Sequence, residues 1–200
     1  MSHSYEQTYQ AIVHKLAGCD LGESAARLGL PLPVGGIIKT LFLGREYEIS
    51  SKGVTAADGL PSNPNCRSTL IYYVTSRGKA EPEYSYSLLH SFIPGPRGGL
   101  SISWMTAPLV RKFRNDYAGF CSAMKLLGAL CEESPKRSEH VWSYRILPKI
   151  PMQIIYSEAD EEFPCEIKLK LDNNSGRFME FEQLAFLCGC LVNTLAKELS

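Results

Sequence analysis

No run of 18 apolar residues occurs in this 200-residue chain, and its opening stretch, MSHSYEQTYQAIVHKLAG, has no apolar leader core. The expectation is therefore a protein without a membrane-spanning helix or secretory leader, working in the cytoplasm. Charge of one sign is missing as well. Lys plus Arg and Asp plus Glu each total 21, which leaves no global field for phosphate-rich partners. Nucleic-acid binding as the main task is disfavoured, because affinity there comes largely from neutralised phosphates. G-x-S-x-G and H-E-x-x-H are absent, so the usual serine-hydrolase and zincin mechanisms lack their residues. There is no C-x-x-C, no internal repeat and no low-complexity tract.

Cysteine is present, but in a number that does not suit a disulfide framework. Seven thiols (19, 66, 121, 131, 165, 188 and 190) read as reduced side chains, most of them small hydrophobes. Cys188 and Cys190 stand two apart in a helical pattern and so point about 200° apart, too far to grip one ion. The periodicity places Cys188 on the core stripe and Cys190 away from it. Cys121 and Cys131 lack ligand spacing. No metal or cofactor is expected within the chain.

With 44% apolar residues, the chain can bury a sizeable core as one domain, 1–200. Ser4 and Gln7 form a capping-box pattern ahead of the stripe Tyr5, Tyr9, Ile12, Val13 and Leu16. Asp20 with Glu23 starts a second helix that Gly29 closes, giving an amino-terminal helix pair over 1–30. Residues 36–43 and 45–50 predict a hairpin turning at Gly44. Asn63-Pro64 opens a helix carrying Cys66, Leu70, Tyr73 and Val74 inward. Residues 84–92 read as extended, and PGPRGG at 94–99 as a loop. Thr106 is the expected cap of a long helical region, with Asn115-Asp116 breaking or recapping it. Residues 132–139 read as loop.

Residues 141–147, 151–157 and 165–171 predict strands, the last with Ile167, Leu169 and Leu171 facing one way and Glu166, Lys168 and Lys170 the other. A final amphipathic helix carries Phe181, Leu184, Cys188, Leu191 and Leu195, a stripe expected to seal the sheet. Helices, a hairpin, helices, then strands and a helix define α+β: a single domain with a mostly antiparallel sheet backed by helices.

The segments LFLGREYEI, LIYYVTSRG, HSFIPGPRGG, FRNDYAGF and DEEFPCEIKLKLDNN, followed by an amphipathic helix, run through nearly the whole chain in order. In these the chain resembles the domain of unknown function 3786 family of bacterial and archaeal proteins. Some relatives carry an iron–sulfur segment, and the family has suspected links to corrinoid or one-carbon metabolism in anaerobes. The resemblance implies an accessory role in such metalloenzyme metabolism. This chain lacks a cluster-binding cysteine run, so an iron–sulfur or corrinoid group would come only through a partner.

Three places offer chemistry. His90 could serve as base or ligand, being the side chain suited to neutral-pH proton transfer, although an isolated histidine more often satisfies a local hydrogen bond. Arg97, in PGPRGG, could add charge beside backbone amides, but the loop is neither a P-loop nor G-x-G-x-x-G. Asp160, Glu161 and Glu162 lie in EADEEFP, a connection between two alternating strands. Asp160 and Glu162, with Asp172, offer hard oxygen ligands for Mg²⁺ or Ca²⁺, but Asp172 stands eight residues beyond Pro164, about 26 Å along a straight strand. The plainer expectation pairs the loop acids with Arg111, Arg114 or Arg145 and pins the loop by burying Phe163. The leading functional expectation is an accessory domain that binds a protein partner or small ligand; the alternative is an enzyme using the acidic loop with His90.

Overall fold

The computed structural model describes residues 2–95, 103–134, 136 and 138–198. Its fold is α+β, with two antiparallel sheets and helices packed against them. The chain opens with α1 (Ser2–Ile12), runs through a 3-10 turn (Val13–Gly18), and enters α2 (Leu21–Leu28). Ser4 lies inside α1 rather than capping it. α2 starts and stops as its sequence dictates. Asp20 accepts the Glu23 N–H at 2.9 Å, and Gly29 adopts the left-handed conformation that ends the helix.

The small sheet comprises β1 (Ile38–Phe42), β2 (Arg45–Ser50) and β3 (Gly53–Ala56) in that order. Phe42 pairs with Arg45, so Leu43-Gly44 alone makes the turn, with φ of 53° and 80°. Two positive φ values define the turn type whose twist matches a hairpin. β3 adds a third strand beyond the expected hairpin and pairs with β2 through Ile49 and Val54. Next, α3 (Pro64–Thr75) is capped by Asn63 and has proline in its first turn, and it buries Cys66, Leu70, Tyr73 and Val74 as expected. Both α1 and α2 pack on α3.

The larger sheet has the order β4-β8-β7-β6-β5, all antiparallel. Its strands are β4 (Tyr86–Leu88), β5 (Leu130–Glu132), β6 (Glu139–Leu147), β7 (Ile150–Ser157) and β8 (Glu166–Asp172). The extended run read over 84–92 is only three residues long; a 3-10 turn (Leu89–Phe92) takes the rest. Trp142, Met152, Ile154, Tyr156, Ile167, Leu169 and Leu171 form the buried face. α4 (Ser103–Phe113) and α5 (Tyr117–Leu126) cover that face. Phe120 sits 5.0 Å from Tyr156 ring to ring, and the Tyr156 hydroxyl donates to the Phe113 carbonyl at 2.7 Å. Thr106 lies within α4, which begins three residues earlier, while Asp116 recaps α5 by accepting the Gly119 N–H.

The carboxy-terminal helix, α6 (Phe181–Asn193), corrects one expectation. It packs against α3 and α4, and its buried residues share one core with those of the sheet. Cys190, expected off the stripe, is fully buried and lies 3.6 Å from Thr69 Oγ1 of α3. A helix enclosed on several sides buries more than one stripe. Burial pushes the Cys188 thiol up to about 12 and raises that of Cys190 well above its ordinary range, with Cys66 beside it adding to the effect. Burial favours the neutral form of both thiols, which suits their packing in the core.

Candidate functional site

EADEEFP does join two antiparallel strands, since Ser157 pairs with Glu166. Its closure is local. Asp160 Oδ1 accepts the N–H groups of Glu162 at 2.9 Å and Phe163 at 2.7 Å, while the Asp160 N–H donates to the Phe163 carbonyl. Phe163 itself is 66% exposed, so burial of that ring does not pin the loop. The buried residue at the loop's exit is Cys165. An Asp side chain that folds the backbone onto itself makes the reversal without a hydrophobic anchor.

Among the described residues, the side chain that meets the loop's acids is a histidine and not one of the three arginines. Glu158 Oε1 lies 2.6 Å from Nε2 of His140 on the neighbouring strand, and the His140 ring stacks 3.8 Å from Tyr117. Arg145 instead donates to the Tyr84 hydroxyl. Asp172 is wholly buried and accepts the backbone N–H groups of Tyr84 and Asn174, so it closes a turn at the far end of β8. Two substitutions separate the expected and observed anchors. Phe163→Ala should stay within about 0.5 kcal/mol of the parent in urea denaturation. Asp160→Ala, which releases two N–H groups, should cost about 0.5–2 kcal/mol by analogy with a lost helix cap. The reverse order would restore the ring as the anchor.

His90 and the acidic loop do not meet. Leu88, two residues before His90, pairs with Lys170, four residues along β8 from Glu166. That is about 13 Å of strand. Asp160, Glu161 and Glu162 are exposed at the other end. Arg97 lies outside the described residues. Among the described residues, no group of three or more His, Cys, Asp or Glu could hold a metal ion.

A cleft of about 560 Å³ lies elsewhere, where the start of α2 meets the end of α3. Cys19, Asp20, Ser24 and Arg27 line one side, and Thr75, Ser76, Arg77 and Lys79 the other; Lys15 and Gly18 come from the 3-10 turn. Arg27 is held in place by two bonds. Nη1 donates to the Gly78 carbonyl at 3.1 Å and Nη2 to Ser24 Oγ at 3.2 Å, with Ser24 itself buried. Cys19 is half-buried, its Sγ 3.3 Å from Ser24 Oγ and 3.8 Å from the Val74 carbonyl. Ser76 Oγ is buried with no partner among the described residues. No histidine lines the cleft, and the Asp20 carboxylate is engaged with the first turn of α2.

Sequence reasoning missed this site. Its residues come from segments about fifty positions apart, which meet only because α2 packs on α3. One signal was available: Arg77-Gly78-Lys79 places two cations around a glycine just past a helix end.

The molecule is thus an α+β domain of two antiparallel sheets with a polar cleft where α2 meets the end of α3. The family model for Domain of unknown function (DUF3786) matches residues 20–194, and the chain belongs to that family. The match begins at Asp20, so Lys15, Gly18 and Cys19 of the cleft precede the matched stretch. No curated protein and no solved structure matches the chain. Among the described residues, no helix is long and apolar enough to cross a membrane.

Proposed function

We propose that this domain is a non-catalytic accessory module that binds a small polar ligand in the cleft between α2 and the end of α3. The cleft carries the reading. Its volume of about 560 Å³ falls within the range of small-ligand sites. Its lining of hydroxyls, one thiol and fixed charges suits a polar molecule, and Arg27 is pre-positioned by two hydrogen bonds. No histidine lines the cleft, and of its two carboxylates Asp20 already accepts the Glu23 N–H, which favours binding over catalysis. On this reading an iron–sulfur or corrinoid centre belongs to a partner protein, and this chain contributes ligand capture.

Gly18 provides the test. It lines the cleft, and no heavy atom lies within 4 Å of where its Cβ would stand, so Gly18→Phe adds a ring at the rim without a clash at Cβ. The folded chain and this variant are each equilibrated with a small-molecule cell extract and weighed by native mass spectrometry. A non-covalent adduct on the parent that the variant loses is the expected result. Equal adducts on both, or none on either, would overturn the proposal.

A further inference from the structure

The cleft's charges are unequal in number and in availability. Four cations, Lys15, Arg27, Arg77 and Lys79, face two carboxylates, Asp20 and Glu23. Asp20 Oδ1 accepts the Glu23 N–H, so part of that carboxylate's acceptor capacity serves the start of α2. Glu23 lies exposed.

The carboxyl end of α3 would by itself attract cations, but two of its last four carbonyls already have donors. That of Tyr73 accepts from the Ser76 N–H and that of Val74 from Cys19 Sγ. Lys15 Nζ lies 5.9 Å from the centroid of the Tyr72 ring, a contact that leaves N–H donors of the ammonium open to a ligand. Guanidinium has five N–H donors in a planar fork that matches carboxylate and phosphate oxygens. Two of the Arg27 nitrogens are tied to Gly78 and Ser24, which fixes the plane while donors remain for a ligand.

We infer that the cleft's ligand is an anion bearing a phosphate or carboxylate group, received by Arg27 with Arg77, Lys79 and Lys15 around it. This rests on the binding role proposed above and names its ligand class.

Cys19 is a built-in reporter, because its half-buried thiol stands in the cleft wall. Iodoacetate is anionic and iodoacetamide neutral; with either, the thiolate sulfur bonds to the methylene carbon and iodide leaves. Peptide-resolved mass spectrometry gives the rate of each at Cys19, and the same thiol in the urea-unfolded chain supplies the reference ratio. A cationic cleft should raise the iodoacetate-to-iodoacetamide ratio of the folded protein by about tenfold, the lower end of electrostatic focusing. The triple variant Lys15→Gln/Arg77→Gln/Lys79→Gln should bring it back towards the reference, as should high salt. A folded ratio no higher than the unfolded one overturns the anion assignment. Loss of the native adduct in Gly18→Phe would meanwhile leave ligand binding standing. Pyrophosphate and citrate, used in turn to shield Cys19 from iodoacetamide, distinguish a phosphate ligand from a carboxylate one. Shielding by neither also overturns the assignment.

Discussion

Leu191→Ala should destabilise the domain by about 2–5 kcal/mol, the range for a fully buried leucine whose surroundings cannot close over the gap. Glu182→Ala, on the same helix, should stay within about 0.5 kcal/mol. Leu191 has no exposed surface, and it sits in α6 among Leu184, Leu187, Cys188 and Leu195, all equally enclosed. α3 and α4 pack against this helix, so the space left by three missing carbons is walled by elements that are themselves fixed. α4 in turn lies against β8, so it cannot shift inward without disturbing the sheet. Glu182 is exposed in the first turn, where an acid complements the helix dipole by only a few tenths of a kcal/mol. Urea denaturation of the two variants beside the parent measures the difference. Similar losses in both would show that α6 does not carry the core in the way its burial indicates.

What could be read from the sequence was whatever is decided locally. The Leu43-Gly44 hairpin, the Asp20 and Asn63 caps, and the alternation of Ile167, Leu169 and Leu171 each depend on residues a few positions apart. β3 and β5 escaped because four- and three-residue strands give too little periodicity, and β5 is exposed along its whole length. Cys190 was misplaced because a one-sided stripe is the signature of a surface helix, while α6 is enclosed. Phe163 was given an anchoring role from its hydrophobicity, when Asp160 closes the loop through backbone bonds. The cleft was the least legible feature. Nothing near Cys19 or Arg27 in the sequence announces Gly78, whose carbonyl holds the Arg27 guanidinium.

Gly78→Ala should destabilise the fold by about 1–3 kcal/mol, the usual cost of an overpacked site, and should also disorganise the cleft. The glycine here is required by close approach. A Cβ at this position would stand 2.5 Å from the Arg177 carbonyl oxygen and 2.5 Å from Cδ1 of Phe178. One obstacle is backbone, in the 3-10 turn (Asn173–Arg177) that follows β8, and the other belongs to a buried ring. Neither can yield as the tip of an exposed lysine would. The chain at 76–79 must then lift away, taking with it the carbonyl that receives Arg27 Nη1 and the flanking Arg77 and Lys79. Gly18→Ala is the control, since its Cβ meets nothing within 4 Å and its effect should stay within about 0.5 kcal/mol. Urea denaturation and the alkylation ratio at Cys19, measured on both variants, separate the two consequences. The expected pattern for Gly78→Ala is a lower midpoint together with a weaker preference for iodoacetate. A lower midpoint with an unchanged preference would mean that Arg27 keeps its place without the Gly78 carbonyl, and that Ser24 alone is enough to hold it.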